Sequence, residues 1–137
     1  MPLKNVVFSS RRDAESQQGA KDWAVISITE PFRYPAQLKD GWHSILRLEF
    51  HDIENESWPQ TLFSKQHACA IVAFAHKANA GTCEGILVHC RAGISRSSAV
   101  AKWIAEKFEL PFDHNYQLCN HRVYCMLREF ADAAALP

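Results

Sequence analysis

No apolar stretch in this chain is long enough to span a bilayer, and its opening residues, MPLKNVVFSSRRDAE, hold only a short one. A start of that kind predicts no secretory leader and no membrane partner. An excess of charge of either sign is also missing. Lys plus Arg and Asp plus Glu both number 15, for a formal net charge of +0. Bulk attraction to duplex nucleic acid or an anionic membrane is thereby excluded, so any anion must be held by a local site. Paired C-x-x-C spacing is absent too, and the cysteines (Cys69, Cys83, Cys90, Cys119, Cys125) are odd in number and irregular in spacing. They predict packing residues and free thiols in a reducing, cytoplasmic compartment rather than a disulfide framework. His67, Cys69 and His76 share one stretch, but no second ligand pair stands at zinc spacing, so no metal is expected. Repeats, low-complexity tracts and long linkers are lacking, which leaves 1–137 as one domain. Its 47% hydrophobic content is enough to build a core without disulfides or metals.

What is present is an alternation of two periodicities. NVVFSS (5–10) suits a short first strand, and WAVISIT (23–29) a second, closed by Glu30 and Pro31. Residues 30–41 carry two prolines and a glycine and predict a loop. SILRLEF (44–50) alternates apolar and polar as a strand does, and 51–60 is polar and turn-like. A helix is predicted over 61–78, with Phe63, His67, Ile71 and Phe74 on one stripe and Pro59 near its start. His67 on that stripe fits a core histidine. EGILVHC (84–90) is a continuous apolar run, the pattern of a central buried strand. Helical spacing returns over 97–110 at Val100, Trp103, Ile104 and Phe108, until Pro111 ends it. A last helix is predicted over 116–135, with Leu118, Val123, Leu127 and Phe130 facing inward. Strands alternating with helices give an α/β fold: a central, mostly parallel sheet flanked by helices. Trp23, Trp42 and Trp103 are core candidates, and Arg11 and Arg12 a solvated pair, with substrate docking as the alternative.

The stretch HCRAGISRSS (89–98) joins the buried strand to a helix. At that edge of an open α/β sheet, ligands bind beyond the carboxyl ends of the strands. The helix start supplies unpaired N–H groups and partial positive charge, which favour an anion. Ala92 and Gly93 leave the backbone of Arg91, Ala92, Gly93, Ile94 and Ser95 free to curl so that its N–H groups point inward. Arg96 is placed to hold two oxygens of a phosphate at once. Cys90 lies at the floor, in surroundings that favour a thiolate, and a thiolate facing bound phosphorus is a nucleophile.

These residues match H-C-x-x-G-x-x-R-S/T at every fixed position: His89, Cys90, Gly93, Arg96, Ser97. The segment therefore resembles the signature of the cysteine-dependent protein tyrosine phosphatases, and AGISRS is most similar to their dual-specificity branch. The resemblance spans roughly residues 23 to 130, but only 88–100 is specific on its own. It implies a phosphocysteine intermediate on Cys90, stabilised by Arg96 and the loop amides, with no cofactor. It implies that Ser97 eases departure of the thiolate and that His89 supports the loop. It also implies a general acid on a loop after a strand; Asp52 holds that place, with Glu54 and Glu56 as substitutes on the same loop and Trp58 set to pack there on closure. Asn120 matches a residue that supports the phosphate loop, and a simple helix cap fits it nearly as well. One of the other cysteines would pair with Cys90 on oxidation.

The function so implied is dephosphorylation of proteins, phosphotyrosine first and phosphoserine or phosphothreonine second. No N-x-x-Y-type phosphotyrosine-recognition segment is present, which favours a shallow, broad pocket. The same chemistry on an RNA 5′-triphosphate or a phosphoinositide is an alternative, and a phosphate-binding module without turnover another. Intact Cys90, Arg96 and Asp52 weigh against the last.

Overall fold

In the computed structural model, which describes residues 2–135, the runs rich in β-branched residues are strands. They are β1 (Asn5–Ser10), β2 (Trp23–Thr29), β3 (Ser44–Glu49) and β4 (Gly85–Cys90). All pair in parallel, in the order β1-β4-β2-β3. β4 and β2 are therefore central, and both are buried almost throughout. A parallel sheet covered on both faces needs apolar residues at successive positions, which is why ILV in β4 and VISI in β2 do not alternate.

The two faces differ in what covers them. Ile26, Ile86 and Val88 point into the larger core, built with Ile71 and Val72 of α2 (Lys65–Ala80), Val100 and Ile104 of α3 (Arg96–Phe108), and Val123 and Leu127 of α4 (His121–Ala135). Val25 and Leu87, one residue out of phase, point the other way. They meet Ala14 of the short helix α1 (Arg11–Ser16), with Trp23, Leu38 and Trp42 around them. Among the described residues no helix is long and apolar enough to cross a membrane.

The expected strands form at their expected places, but the starts of two helices move, each because of a cap. α2 begins at Lys65, not at residue 61. Ser64 Oγ accepts from His67 N (3.4 Å) and Ser64 N donates to His67 Nδ1 (2.9 Å), a reciprocal box that fixes the start. His67 is thus half-buried capping chemistry, not a core residue, and Pro59 lies in a turn upstream. Thr61 to Phe63 stay outside the helix, with His51 N donating to Thr61 O at 2.8 Å. α4 begins at His121 because Asn120 Oδ1 accepts from Val123 N at 3.1 Å. Leu118 consequently lies outside the helix and is exposed, not inward-facing. α1 has no apolar period to announce it; Ser10 Oγ caps it at Asp13 N (3.1 Å). All five cysteines are unpaired, and Cys125 is exposed rather than packed.

His89 sits inside the sheet. Its ring is fully buried against the sheet, opposite Ser27 in the register, with Nε2 2.6 Å from Ser27 Oγ and Nδ1 3.5 Å from Cys90 O. Burial disfavours its charged form and takes its pKa from 6.5 to about 4; Arg11 and Arg47 also oppose protonation, while the Cys90 carbonyl and Glu15 favour it. Between these two values the unfolded chain binds a proton that the folded chain does not. Stability from this group is complete above pH 6.5 and is lost as pH falls toward 4. In urea titrations at pH 7 and pH 4.5, the loss on acidification should be smaller in His89→Asn than in the parent by on the order of 2–3 kcal/mol. Equal losses, or a His89 ring titrating near its ordinary value by NMR, would refute this.

Candidate active site

Because every strand runs in the same direction, the carboxyl ends of β1, β2, β3 and β4 gather at one edge. The turn 91–95 between β4 and α3 lies there. Gly93 makes the turn possible in two ways. Its φ is +73°, and a Cβ would stand 2.3 Å from the Ser10 backbone nitrogen.

The loop carbonyls are tied outward. Arg91 O accepts from Arg11 N at 3.2 Å. Ile94 O accepts from Ser98 Oγ at 2.6 Å and from the Tyr116 hydroxyl. Ser95 O accepts from Asn120 N at 3.0 Å. A trans peptide points its N–H opposite to its C=O. The N–H groups of Ala92, Ser95 and Arg96 are thereby turned to the inside of the loop, a concavity suited to an anion.

Two side chains define the inside. Cys90 is buried, with Sγ 3.1 Å from Ser97 Oγ on the first turn of α3. Arg96 is only 4% exposed. Its Nη1 donates to the carbonyl of Phe50, just past β3, at 2.8 Å, and its Nη2 lies 3.6 Å from Glu30 Oε2, just past β2. Its Nε is buried with no acceptor, a donor that an oxyanion in the loop would satisfy. The other oxygen of Glu30 lies 3.8 Å from Arg91 Nη1.

Asp52 is brought to this loop from the segment after β3. Its Oδ1 accepts from Ser95 Oγ and from Asn120 Nδ2, both at 2.9 Å. Asn120 Nδ2 also reaches Ile53 O at 3.1 Å, so Asn120 caps α4 and holds the segment that carries Asp52 as well. The Asn120 backbone N–H donates to Ser95 O at 3.0 Å. Glu54 is committed elsewhere, accepting from His121 N at 2.6 Å. Glu56 is exposed, and Trp58 on the same loop is 92% exposed rather than packed.

Cys90, residues 91–96, Ser97, Asp52 and Asn120 thus meet at one place, with His89 one residue behind Cys90 in β4. Four participants were not anticipated: Glu30, the Phe50 carbonyl, Tyr116 and Arg11. Arg11 is not solvated. It donates to Tyr34 O (2.6 Å) and Pro35 O (3.0 Å) and pairs with Glu15 at 3.2 Å, pinning the loop after β2. A sequence signal existed only for Glu30, an acidic residue closing a buried strand. Among the described residues no three His, Cys, Asp or Glu side chains converge as at a metal centre.

No protein-family model matches the sequence, and no curated protein matches it. Solved structures do. The chain resembles human DUSP28 at 19% identity with a TM-score of 0.56, over 93% of this chain and 92% of that one. A single-substitution variant of that human protein aligns at 20% identity and a TM-score of 0.51, over 97% and 96%. A mouse protein assigned to the dual specificity phosphatases and crystallised with zinc tungstate aligns at 18% identity and 0.52, over 93% and 82%. The arrangement of strands, helices and loop described above is the dual specificity phosphatase fold.

Proposed function

We propose that the protein is a cysteine-dependent phosphatase acting on phosphorylated proteins, on phosphotyrosine foremost and on phosphoserine and phosphothreonine also. The observation that carries this reading is the convergence of Cys90, Arg96 and Asp52 on one loop: a buried thiol at its floor, a buried guanidinium with an uncommitted Nε, and a carboxylate bonded to Ser95. The phosphate oxygens take the inward N–H groups and Arg96, which together offset the charge of the transferring phosphoryl group. Cys90 attacks phosphorus, so a P–S bond forms as the P–O bond to the substrate breaks. Asp52 gives its proton to the departing oxygen. Water then attacks phosphorus and yields its proton to Asp52, the P–S bond breaks, and Ser97 Oγ donates to the leaving thiolate.

An open groove of about 620 Å³ runs along Asp52, Ser95 and Asn120 and supports a broad entrance over a deep slot. That shape suits short phosphoserine and phosphothreonine side chains as well as phosphotyrosine. The names of the structural neighbours agree with this reading.

Two measurements test it. Phosphate release is followed on phosphotyrosine, phosphothreonine and phosphoserine peptides, a phosphoinositide and a triphosphorylated RNA, with Cys90→Ser as the blank. Turnover of the peptides that vanishes in the blank is expected. Turnover confined to lipid or RNA would keep the chemistry and replace the substrate, and full activity in Cys90→Ser would sink the mechanism. In Asp52→Asn, kcat on a phosphothreonine peptide should fall roughly 10²–10⁴-fold, whereas an aryl phosphate with an acidic leaving group should lose less than about tenfold. Equal losses on both would take the acid role away from Asp52.

A further inference from the structure

Next to the loop lies a second cavity, of about 140 Å³, lined by Arg11, Arg33 and Arg91 with Ile28, Thr29 and Glu30. None of the chemistry above uses it. With Arg96, four guanidiniums surround two carboxylates. Glu30 is divided between Arg91 and Arg96, and Glu15 Oε2 takes Arg11 Nε at 3.2 Å and Gln37 N at 2.8 Å. Two positive charges are left over in a chain whose formal net charge is +0. One belongs to Arg33, whose exposed side chain has no partner among the described residues.

The backbone around Arg33 is held at a cost. Arg33 N donates to Glu30 O at 3.2 Å, closing a turn in which Phe32 adopts φ +66° with its side chain fully exposed. A bulky residue in the left-handed region is disfavoured, and such outliers gather at binding sites. The opposite flank has the reverse sign: the groove along Asp52 also carries Glu54 and Glu56. An anion beside the reacting phosphate is therefore attracted on one side and repelled on the other.

We propose that this cavity is a subsite for a second anionic group, a carboxylate or a phosphate, carried by the same phosphoprotein substrate. The proposal rests on the phosphatase reading and deepens it. Arg91 and Arg96 each reach one oxygen of Glu30, so subsite and loop stand about one carboxylate apart. An extended peptide advances about 3.3 Å per residue, which puts the second anion one or two residues from the phosphate being removed. The exposed side chains of Phe32 and Tyr34 flank Arg33 and offer apolar contact to the intervening residue.

The test compares phosphotyrosine peptides that differ only in one flanking residue: Ala, Asp or phosphothreonine, one or two positions away on either side. The quantity read is kcat/KM of each anionic peptide divided by that of the Ala peptide, with an aryl phosphate as reference for the chemistry. The parent protein should favour an anion on one side by about three- to tenfold at low salt, less in high salt. Arg33→Ala should bring the ratio close to one, and Arg33→Glu should take it below one. The Asp and phosphothreonine arms distinguish carboxylate from phosphate. A ratio near one in the parent, or an unchanged ratio in Arg33→Glu, overturns the subsite, and so does Arg33-dependent selection of a triphosphorylated RNA over every peptide. Failure of the phosphatase reading looks different: no substrate turns over, the aryl phosphate included. The same peptides are then titrated onto Cys90→Ser, where equal affinity for Ala and anionic peptides counts against the subsite and tighter, Arg33-dependent binding of the anionic ones supports it.

Discussion

A guanidinium taken out of water costs several kcal/mol unless charge and hydrogen bonds are returned to it. Arg96 is in that position, and the partners it finds set conditions on the rest of the molecule. The side chain comes from the start of α3, Glu30 from the end of β2, and the Phe50 carbonyl from the end of β3. Three chain segments far apart in sequence must end level with one another for the cation to be held. The parallel registers do this, pairing Thr29 with Glu49 and Ser27 with His89. A slip of one residue in β2 would reverse every side chain on that strand and leave Arg96 buried without its counter-charge.

The same geometry separates what was legible in the sequence from what was not. Cys90, Gly93, Arg96 and Ser97 lie within one strand-turn-helix, so their spacing alone brings them together. The nearness of Asp52 to the loop was legible in its order along the chain, after one strand and before the next helix. Glu30 and Arg11 act through contacts whose existence depends on β4 lying between β1 and β2, a fact about strand order that periodicity does not encode. Tyr116, which holds the Ile94 carbonyl, left no signal at all.

Helix boundaries show a related limit. The central apolar runs of β2 and β4 and the face of α3 follow directly from burial. The starts of α2 and α4 follow from side chains that take backbone N–H groups, Ser64 with His67 and Asn120 with Val123. Hydrophobic pattern extends past such points, because residues like Phe63 are buried whether or not they are helical. Histidine at the third helical position is a case in which a capping role was hidden beneath an apolar stripe.

Asn120 does more than close a helix. Its amide nitrogen holds Asp52 and the Ile53 carbonyl, while Glu54 of the same segment covers the N–H of His121. Swinging the segment outward would strip the first turn of α4 of a partner in the same motion. Loop opening and fraying of that helix end are then one cooperative event, and its free energy includes a capping contribution of about 0.5–2 kcal/mol. Asp52 is latched by a helix terminus, so the packing of α4 against α2 and α3 is felt, through that latch, at its carboxylate.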